Sequence, residues 1–204
     1  MKKAISLIVV VLLIDQISKI YIKTHFYLGQ EIIVFNWFRI HFLENNGMAW
    51  GVELGGNYGK LALTVFRIIA IGGLGYWLYN SVREKLSGKI ITAISLIFAG
   101  ALGNIIDSVF YGVMFSDTFH GVAKIFPKQG GYSSLFHGKV VDMLYFPLIN
   151  TDLPTWLPFV GGSHFTFFDP VFNVADSAIT IGVCLLLIFG KKTFAKKEPA
   201  IEND

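Results

Sequence analysis

Four long apolar stretches limit what this chain can fold into. They cover roughly residues 4–22, 60–80, 89–112 and 170–190. An α-helix needs about 20 mostly apolar residues to cross the hydrocarbon core of a bilayer, and each stretch is close to that length. Charged residues make up 15% of the chain, against about 25% in soluble domains. The sequence therefore predicts a membrane protein with an all-α core of four transmembrane helices, forming a single domain over residues 1–204.

The distribution of lysine and arginine predicts how these helices are oriented. If the N-terminus is cytoplasmic, the short cytoplasmic segments hold more basic residues than the much longer outer loops, 23–59 and 113–169. The cytoplasmic set is Lys2, Lys3, Arg83, Lys85, Lys89, Lys191, Lys192, Lys196 and Lys197, and the outer set is Lys23, Arg39, Lys60, Lys124, Lys128 and Lys139. Positive residues favour the cytoplasmic side, so we expect both termini inside and both long loops outside.

The N-terminus also has the form of a secretory signal. Two lysines precede a short apolar run, which is typical of such signals. No Ala-x-Ala-like cleavage site follows, and the apolar sequence continues to Ile22. We therefore expect a first helix that is retained.

Three carboxylates lie inside the predicted helices, near their outer ends. At a rise of 1.5 Å per residue, Asp15, Asp107 and Asp176 lie roughly 7–10 Å from those ends. A charged side chain in hydrocarbon costs at least ~2.5 kcal/mol, and such residues usually mark a function. Asp142, in the second outer loop, is able to reach the same level. The sequence therefore predicts one polar site close to the outer face of the membrane.

The first outer loop has the composition of β-strands. Residues 31–51 are rich in β-branched and aromatic side chains with polar positions recurring between them, which is typical of strands. Asn46-Gly47 is a tight-turn signal. We predict a small extracytoplasmic β-sheet cradle on the membrane surface. Three aromatic residues would lie at the interface or form the sheet's own core, namely Trp37, Phe38 and Trp50.

The second outer loop is longer than most connections in compact proteins. Gly161-Gly162 separates two apolar runs, and this pattern predicts a hairpin. Trp156 and several phenylalanines favour contact between this loop and the membrane interface.

Two close carboxylates are able to work as an acid–base pair. Like charge and burial raise the pKa of one member, so one acid and one base coexist near neutral pH. Such a pair activates a water and protonates a leaving amine, as aspartyl proteases do. The chain has no His-Glu-x-x-His motif and its five histidines are scattered, which disfavours zinc. Ser18-Lys19 and Ser163-His164 lack the context that a nucleophile needs.

Structural roles stay open for the same charges. Asp15 and Lys19 are spaced i,i+4 and would form a clamp, Asp107 would orient its neighbours, and Arg67 is an available partner for either remaining carboxylate. A membrane scaffold or a small proton-coupled transporter would also use such groups, although transporters place their sites near the midplane and contain repeats.

The net charge of +3, with no soluble basic domain, disfavours nucleic acid as a partner. We expect the single cysteine, Cys184, in the core.

Five short motifs resemble those of lipoprotein signal peptidase, the bacterial signal peptidase II family. They are "DQISK" at 15–19, "NNGMAWG" at 45–51, "GNIID" at 103–107, "VVDM" at 140–143 and "FNVADSAI" at 172–179. Each motif alone is weak evidence, whereas all five in order along nearly the whole chain are highly specific.

The resemblance implies an intramembrane aspartyl endopeptidase of the bacterial cytoplasmic membrane, with its active site at the outer face. Such an enzyme removes the signal peptide of a prolipoprotein just before its diacylglyceryl-cysteine. The family's catalytic aspartates map onto Asp142 and Asp176. Its substrate-binding positions map onto Asn45, Gly47, Asn104, Asp107 and Asn173, and its conformational supports map onto Asp15 and Lys19. The resemblance implies no metal or organic cofactor, contact with membrane lipid, and inhibition by cyclic peptides of the globomycin type.

Two departures from the family pattern affect the site. The family commonly has arginine directly after the aspartate of "GNIID", where this chain has Ser108. A partner for a substrate carbonyl or carboxylate would then be lost, or would be supplied by Arg67 or a loop lysine. The segments 111–139 and 144–169, on either side of "VVDM", are also longer than the family's, which affects the shape of the substrate entrance.

Overall fold

The computed structural model describes residues 1–47 and 56–194, apart from the side chains of residues 57, 150 and 191–194. The predicted interface residue Trp50 and part of the 45–51 motif lie outside the described residues. The helices are α1 (Lys2–His25), α2 (Gly56–Arg83), α3 (Gly88–Met114) and α4 (Val174–Phe194). Within α3, residues Asp107–Tyr111 form a π-helical turn, a feature that is frequent at functional sites.

Three of the four predicted spans are confirmed by length and composition. The helices at Lys2–His25, Tyr58–Arg83 and Gly88–Met114 are long and apolar enough to cross a membrane. The apolar part of α4 covers only Val174–Gly190. It starts later than residue 170 because Val171–Phe172 forms a strand and Asn173 caps the helix.

Side chains on α1 are distributed as expected for a helix in lipid. Asp15, Lys19 and Lys23, one turn apart on the same face, are fully buried, whereas apolar residues such as Leu13 and Ile17 are exposed. Polar groups on a membrane helix face the protein interior because lipid offers them no hydrogen bonds. Cys184 is also exposed on α4, so the expectation that it lies in the core is wrong.

Helices α3 and α4 pack closely through small residues. A Cβ atom added at Gly100 of α3 would clash with the carbonyl oxygen of Ala175, and one added at Gly182 of α4 would lie 2.7 Å from the carbonyl oxygen of Ala93. Glycines at such contacts let two helix backbones approach closely. This packing brings the first turn of α4 against the end of α3 that carries Asn104 and Asp107.

A four-stranded antiparallel sheet lies at the same end of the helices. Its order is β1-β2-β3-β6, where β1 is Glu31–Phe35, β2 is Phe38–Asn45, β3 is Val140–Tyr145 and β6 is Val171–Phe172. The strands predicted in the first loop are confirmed. The pairing of Leu43 with Asp142 and of Leu144 with Phe172 brings the second loop into this sheet and leads directly into α4.

The predicted hairpin of the second loop is also confirmed. Strand β4 (Ile149–Asp152) pairs with β5 (His164–Phe167) in a separate two-stranded sheet, and Gly161-Gly162 lies in the connection between them. The sheet core and the helix ends share one apolar cluster, which includes Phe42, Val141 and Met143 together with Tyr111 and Phe115.

Candidate active site

Asp176 lies in the first turn of α4, where it takes part in a capping box. The side-chain oxygen of Asn173 accepts a hydrogen bond from the Asp176 backbone N–H at 2.9 Å, and Asp176 Oδ2 accepts one from the Asn173 backbone N–H at 3.3 Å. Asp176 Oδ1 accepts a third from Asn104 Nδ2 at 2.8 Å. Two of these three hydrogen bonds are donated to the carboxylate of Asp176, and the other is donated by its backbone to Asn173.

Asp142 lies in the middle of strand β3 and is only 5% exposed. Its Oδ1 accepts a hydrogen bond from Asn173 Nδ2 at 2.8 Å, and the Asn45 side chain is a further hydrogen-bond partner. Burial, and next the negative charge of Asp176, raise the pKa of Asp142 to about 7. The two carboxylates therefore occupy different environments, one in the middle of a buried strand and the other in the cap of a helix.

One polar cavity of about 250 Å³ lies between the sheet and the helices. Its lining includes both carboxylates and several predicted site residues, namely Asn45, Gly47, Arg67, Asn104, Val140, Asp142 and Asp176. A second cavity of about 220 Å³ shares Arg67, Asn104 and Asp176 with it and continues between apolar side chains of α2, α3 and α4. A polar compartment with two carboxylates thus adjoins an apolar crevice within the helices.

Lys19 connects the remaining predicted residues behind this cavity. Its ammonium group is fully buried and lies 3.0 Å from Asp15 Oδ2, 2.8 Å from Asp107 Oδ2 and 2.8 Å from Asn104 Oδ1. Asp15 Oδ1 also accepts a hydrogen bond from the Ala175 backbone N–H at 2.9 Å. The i,i+4 ion pair of Asp15 and Lys19 is present, and the cluster also joins α1 and α3 to the first turn of α4.

Two residues predicted to bind substrate belong to this supporting layer. Asp107 and Asn173 are fully buried and do not line the described polar cavity. Asp107 accepts from the Val141 backbone N–H at 3.3 Å, next to Asp142, and Asn173 contacts both carboxylates. Their contacts orient the cavity residues.

Gln16 was not among the predicted site residues. Its amide donates to Asp15 at 3.0 Å and to Asp107 at 3.0 Å, and its oxygen accepts from the Tyr111 hydroxyl at 3.2 Å. An amide next to Asp15 in an apolar helix was the only signal that could have pointed to it.

Arg67 binds a backbone carbonyl near the carboxylates. Its guanidinium donates to the carbonyl oxygen of Gly47, and within the described part of the chain it forms no ion pair with Asp142 or Asp176 at 4.0 Å or less. The expected pairing of Arg67 with a carboxylate is therefore not seen as a direct contact. Gly47 has φ +85°, a conformation that favours glycine, and its N–H donates to Asn45 Oδ1 at 2.7 Å.

Ser108, where the resembled family commonly has arginine, lies in the π-helical turn. Its side chain is fully buried, and its hydroxyl has no hydrogen-bond partner among the described residues. Arg67 instead brings a cation to the polar cavity from α2.

Among the described residues, no group of three or more His, Cys, Asp or Glu side chains is arranged to hold a metal ion.

Known proteins resemble this chain in sequence and in fold. The family model of signal peptidase (SPase) II matches residues 7–191. A lipoprotein signal peptidase of Porphyromonas gingivalis is 52% identical over 193 residues, covering 94% of this chain and 84% of the relative. One of Amoebophilus asiaticus is 38% identical, covering 90% and 75%. A bacterial membrane enzyme solved by the in meso method at 2.3 Å resolution is 28% identical with a TM-score of 0.60, covering 99% of this chain and 96% of that one.

The apolar helices and these relatives define a multi-pass membrane protein. The chain belongs to the signal peptidase II family of membrane proteases, which process lipoproteins.

Proposed function

We propose that this protein is an intramembrane aspartyl endopeptidase that removes the signal peptide from prolipoproteins modified with diacylglyceryl-cysteine. The observation that carries the proposal is that Asp142 and Asp176 line one cavity and that Asn173 donates a hydrogen bond to each of them. Two carboxylates held in different environments supply an acid and a base without a metal or an organic cofactor. The relatives' name, lipoprotein signal peptidase, supports the substrate class.

Asp176 acts as the base and Asp142 as the acid. The Asp176 carboxylate accepts hydrogen bonds from Asn104 and from the Asn173 backbone and lines the cavity where a water would be held. Burial and the neighbouring charge raise the pKa of Asp142 to about 7. A protonated Asp142 is therefore available near neutral pH.

The reaction begins with a water between the two carboxylates. Asp176 takes a proton from this water as its oxygen attacks the carbonyl carbon that precedes the lipid-modified cysteine. Protonated Asp142 hydrogen-bonds the carbonyl oxygen as negative charge develops on it. Collapse of the tetrahedral intermediate breaks the C–N bond, and the cysteine amine leaves with a proton supplied by the pair. The products are the free signal peptide and a lipoprotein with an N-terminal cysteine.

The rest of the cavity binds the peptide. Asn45 and Asn104 offer amide groups to the substrate backbone, and Arg67 offers a cation beside the Gly47 carbonyl. The adjoining apolar crevice, which includes Ala101 and Ile179, suits apolar side chains of a signal peptide. Inhibitors of the cyclic-peptide, globomycin type would compete for this space.

All four helices cross the bacterial cytoplasmic membrane, with both termini in the cytoplasm and the sheet at the outer face. The excess of basic residues in the short segments supports this orientation. The lipid of the substrate keeps its cleavage site at the interface, so the catalytic pair has to lie there too. The exposed strand β1 and Trp37 support contact between the sheet and membrane lipid.

Complementation of a strain depleted of its own lipoprotein signal peptidase tests this function. We expect the unaltered chain to prevent accumulation of lipid-modified prolipoprotein, and Asp142→Asn and Asp176→Asn to let it accumulate at equal protein levels. Asp117→Asn, which alters an exposed carboxylate in the second loop, is the matched control. Normal processing by both site variants would instead indicate a scaffold or transporter in which these carboxylates have no catalytic part.

A further inference from the structure

The tip of the second-loop hairpin is apolar, uncharged and outward-facing. Residues 153–163 contain no Asp, Glu, Lys, Arg or His. Trp156 is 78% exposed, Phe159 is fully exposed and Val160 is about half exposed. The ionisable residues nearest to the tip, Asp152 and His164, lie at its base with 2.8 Å between Oδ1 and Nδ1.

This tip is folded by its own backbone. The Leu153 N–H donates to Ser163 and the Gly162 N–H donates back to Leu153, both at 2.9 Å, and the Gly161 N–H donates to Leu157 at 2.9 Å. The aromatic side chains therefore point outward from a closed turn. Phe159 also has φ +69°, a strained conformation for a bulky residue that is often associated with function.

The base of the hairpin continues into an aromatic row at the end of the membrane helices. Phe168 packs edge-on against Phe172 with 6.0 Å between ring centroids, Phe172 stacks on Phe146 at 5.6 Å, and Phe146 stacks on Trp37 at 6.1 Å. Phe172 immediately precedes the capping residue of α4. The hairpin therefore starts at the level where α4 leaves the membrane.

The hairpin is too short to carry its tip far from that level. Strands of four residues extend only about 13 Å. A two-stranded hairpin alone is marginally stable in water, and exposed apolar patches usually indicate a binding partner. Tryptophan is enriched at the membrane–water interface, and Phe159 adds exposed apolar surface to the same tip.

We propose that residues 149–167 form a membrane-docking arm, which inserts Trp156 and Phe159 into the lipid leaflet at the sheet end of the protein. The occupant of this surface is the bilayer interface, because the arm begins at that level and its tip carries no charge that would have to leave water. The arm would fix the sheet and the carboxylate cavity at a constant depth. This inference rests on the membrane-spanning helices and not on the proposed reaction.

Fluorescence of Trp156 tests the docking. The full chain, with Trp37, Trp50 and Trp77 changed to Phe, is reconstituted into phosphatidylcholine–phosphatidylglycerol vesicles, with and without lipids brominated near the headgroup end of the acyl chain. We expect strong quenching by the brominated lipid and weak quenching by iodide. A matched chain that also carries Trp156→Phe and Lys128→Trp, in the charged part of the loop, should show the reverse.

Efficient iodide quenching of Trp156 with no bromolipid quenching would overturn the proposal. So would bromolipid quenching that appears only after dilution of the protein in the membrane, since a second copy would then cover the tip. If the tryptophan substitutions impair folding, Phe159→Cys with Cys184→Ala, labelled with an environment-sensitive dye, gives the same test. Both readouts are independent of cleavage, so they stand whether or not the proposed peptidase activity is found.

Discussion

The side-chain amide of Asn173 donates a hydrogen bond to Asp142 at 2.8 Å. Asn173 also caps α4 and donates its backbone N–H to Asp176 at 3.3 Å. One residue thus fixes the distance between a strand carboxylate and a helix carboxylate that are far apart in sequence. A substitution of Asn173 therefore affects the pair in two separable ways. It changes the pKa of Asp142, and it changes the cap of α4.

The first prediction is a shift in the pH profile when Asn173 is changed to Ser. The amide hydrogen bond lowers the pKa of Asp142, whereas burial and Asp176 raise it to about 7. If Asp142 is the acid, its proton is present below that pKa and lost as pH rises through it, so kcat/KM falls above about pH 7. Removing the amide donor raises the pKa further, and the falling limb should move to higher pH.

Steady-state cleavage of a diacylglyceryl-modified prolipoprotein in micelles, measured on both sides of neutral pH, gives this profile. Serine is still able to cap the helix, so Asn173→Ser separates the two roles better than Asn173→Ala. The control is Asn80→Ser, the same change at a residue of α2, and this variant should keep the wild-type profile. If the falling limb of the Asn173→Ser profile stays in place or moves to lower pH, the assignment of Asp142 as the acid is contradicted.

The second prediction concerns the two carboxylates themselves. Asp142→Asn and Asp176→Asn should each lower kcat by roughly 10²-fold or more, because either change leaves no acid–base pair. Since the pair acts as a unit, the double variant should be little slower than either single variant. Purified proteins are assayed after their folding is checked, with Asp117→Asn as the control. Near-native turnover by either folded single variant would rule out the mechanism.

The membrane helices were predictable because the length and composition of a span are local properties. Twenty apolar residues are sufficient to indicate one, and the ends of α1, α2 and α3 lie within a few residues of the prediction. The start of α4 was predicted too early, because strand pairing with β3 takes Val171 and Phe172 into the sheet. Tertiary hydrogen bonding of this kind leaves no periodic signal in the sequence.

The structure brings the predicted site residues together around the cavity and behind it, but the contacts of several of them could not be predicted. Asp142 was assigned to a loop, since its pairing partner Leu43 lies about 100 residues earlier in the chain. Arg67 binds a backbone carbonyl, an acceptor that every residue carries and that no motif reveals. Asp107 was predicted at the substrate surface, and only the folded structure reveals that Lys19 and Gln16 enclose it.

The third prediction is that Lys19→Met destabilises the fold. Its ammonium group lies within 3.0 Å of both Asp15 and Asp107 in a fully buried site, and removing one partner of a buried ion pair costs about 3–5 kcal/mol. Unfolding in detergent micelles measures this loss. Lys124→Met, in an exposed loop, is the control and should change stability by less than about 0.5 kcal/mol.

Adding Asp107→Asn to Lys19→Met should recover part of the lost stability, because it removes one of the two uncompensated carboxylates. If Lys19→Met were as stable as Lys124→Met, the cluster would not be the clamp that joins α1 and α3 to α4.

The last prediction concerns Arg67, which lies on α2 and reaches both cavities. Its guanidinium donates to the Gly47 carbonyl beside Asp176, so it either holds the Asn45–Gly47 turn or binds the substrate backbone next to it. Because a hydrogen bond from a charged donor contributes about 1.5–3 kcal/mol, Arg67→Gln should lower kcat/KM by roughly 10-fold or more. Most of the loss should appear as a higher KM, since binding and not proton transfer is affected.

Arg67→Lys keeps the charge without the planar fork and should recover only part of the affinity. Arg83→Gln, at the other end of the same helix, is the control for changes in α2 itself. Equal kinetics for Arg67→Gln and Arg83→Gln would show that Arg67 has no part in binding, and a loss confined to kcat would assign it to the chemical step.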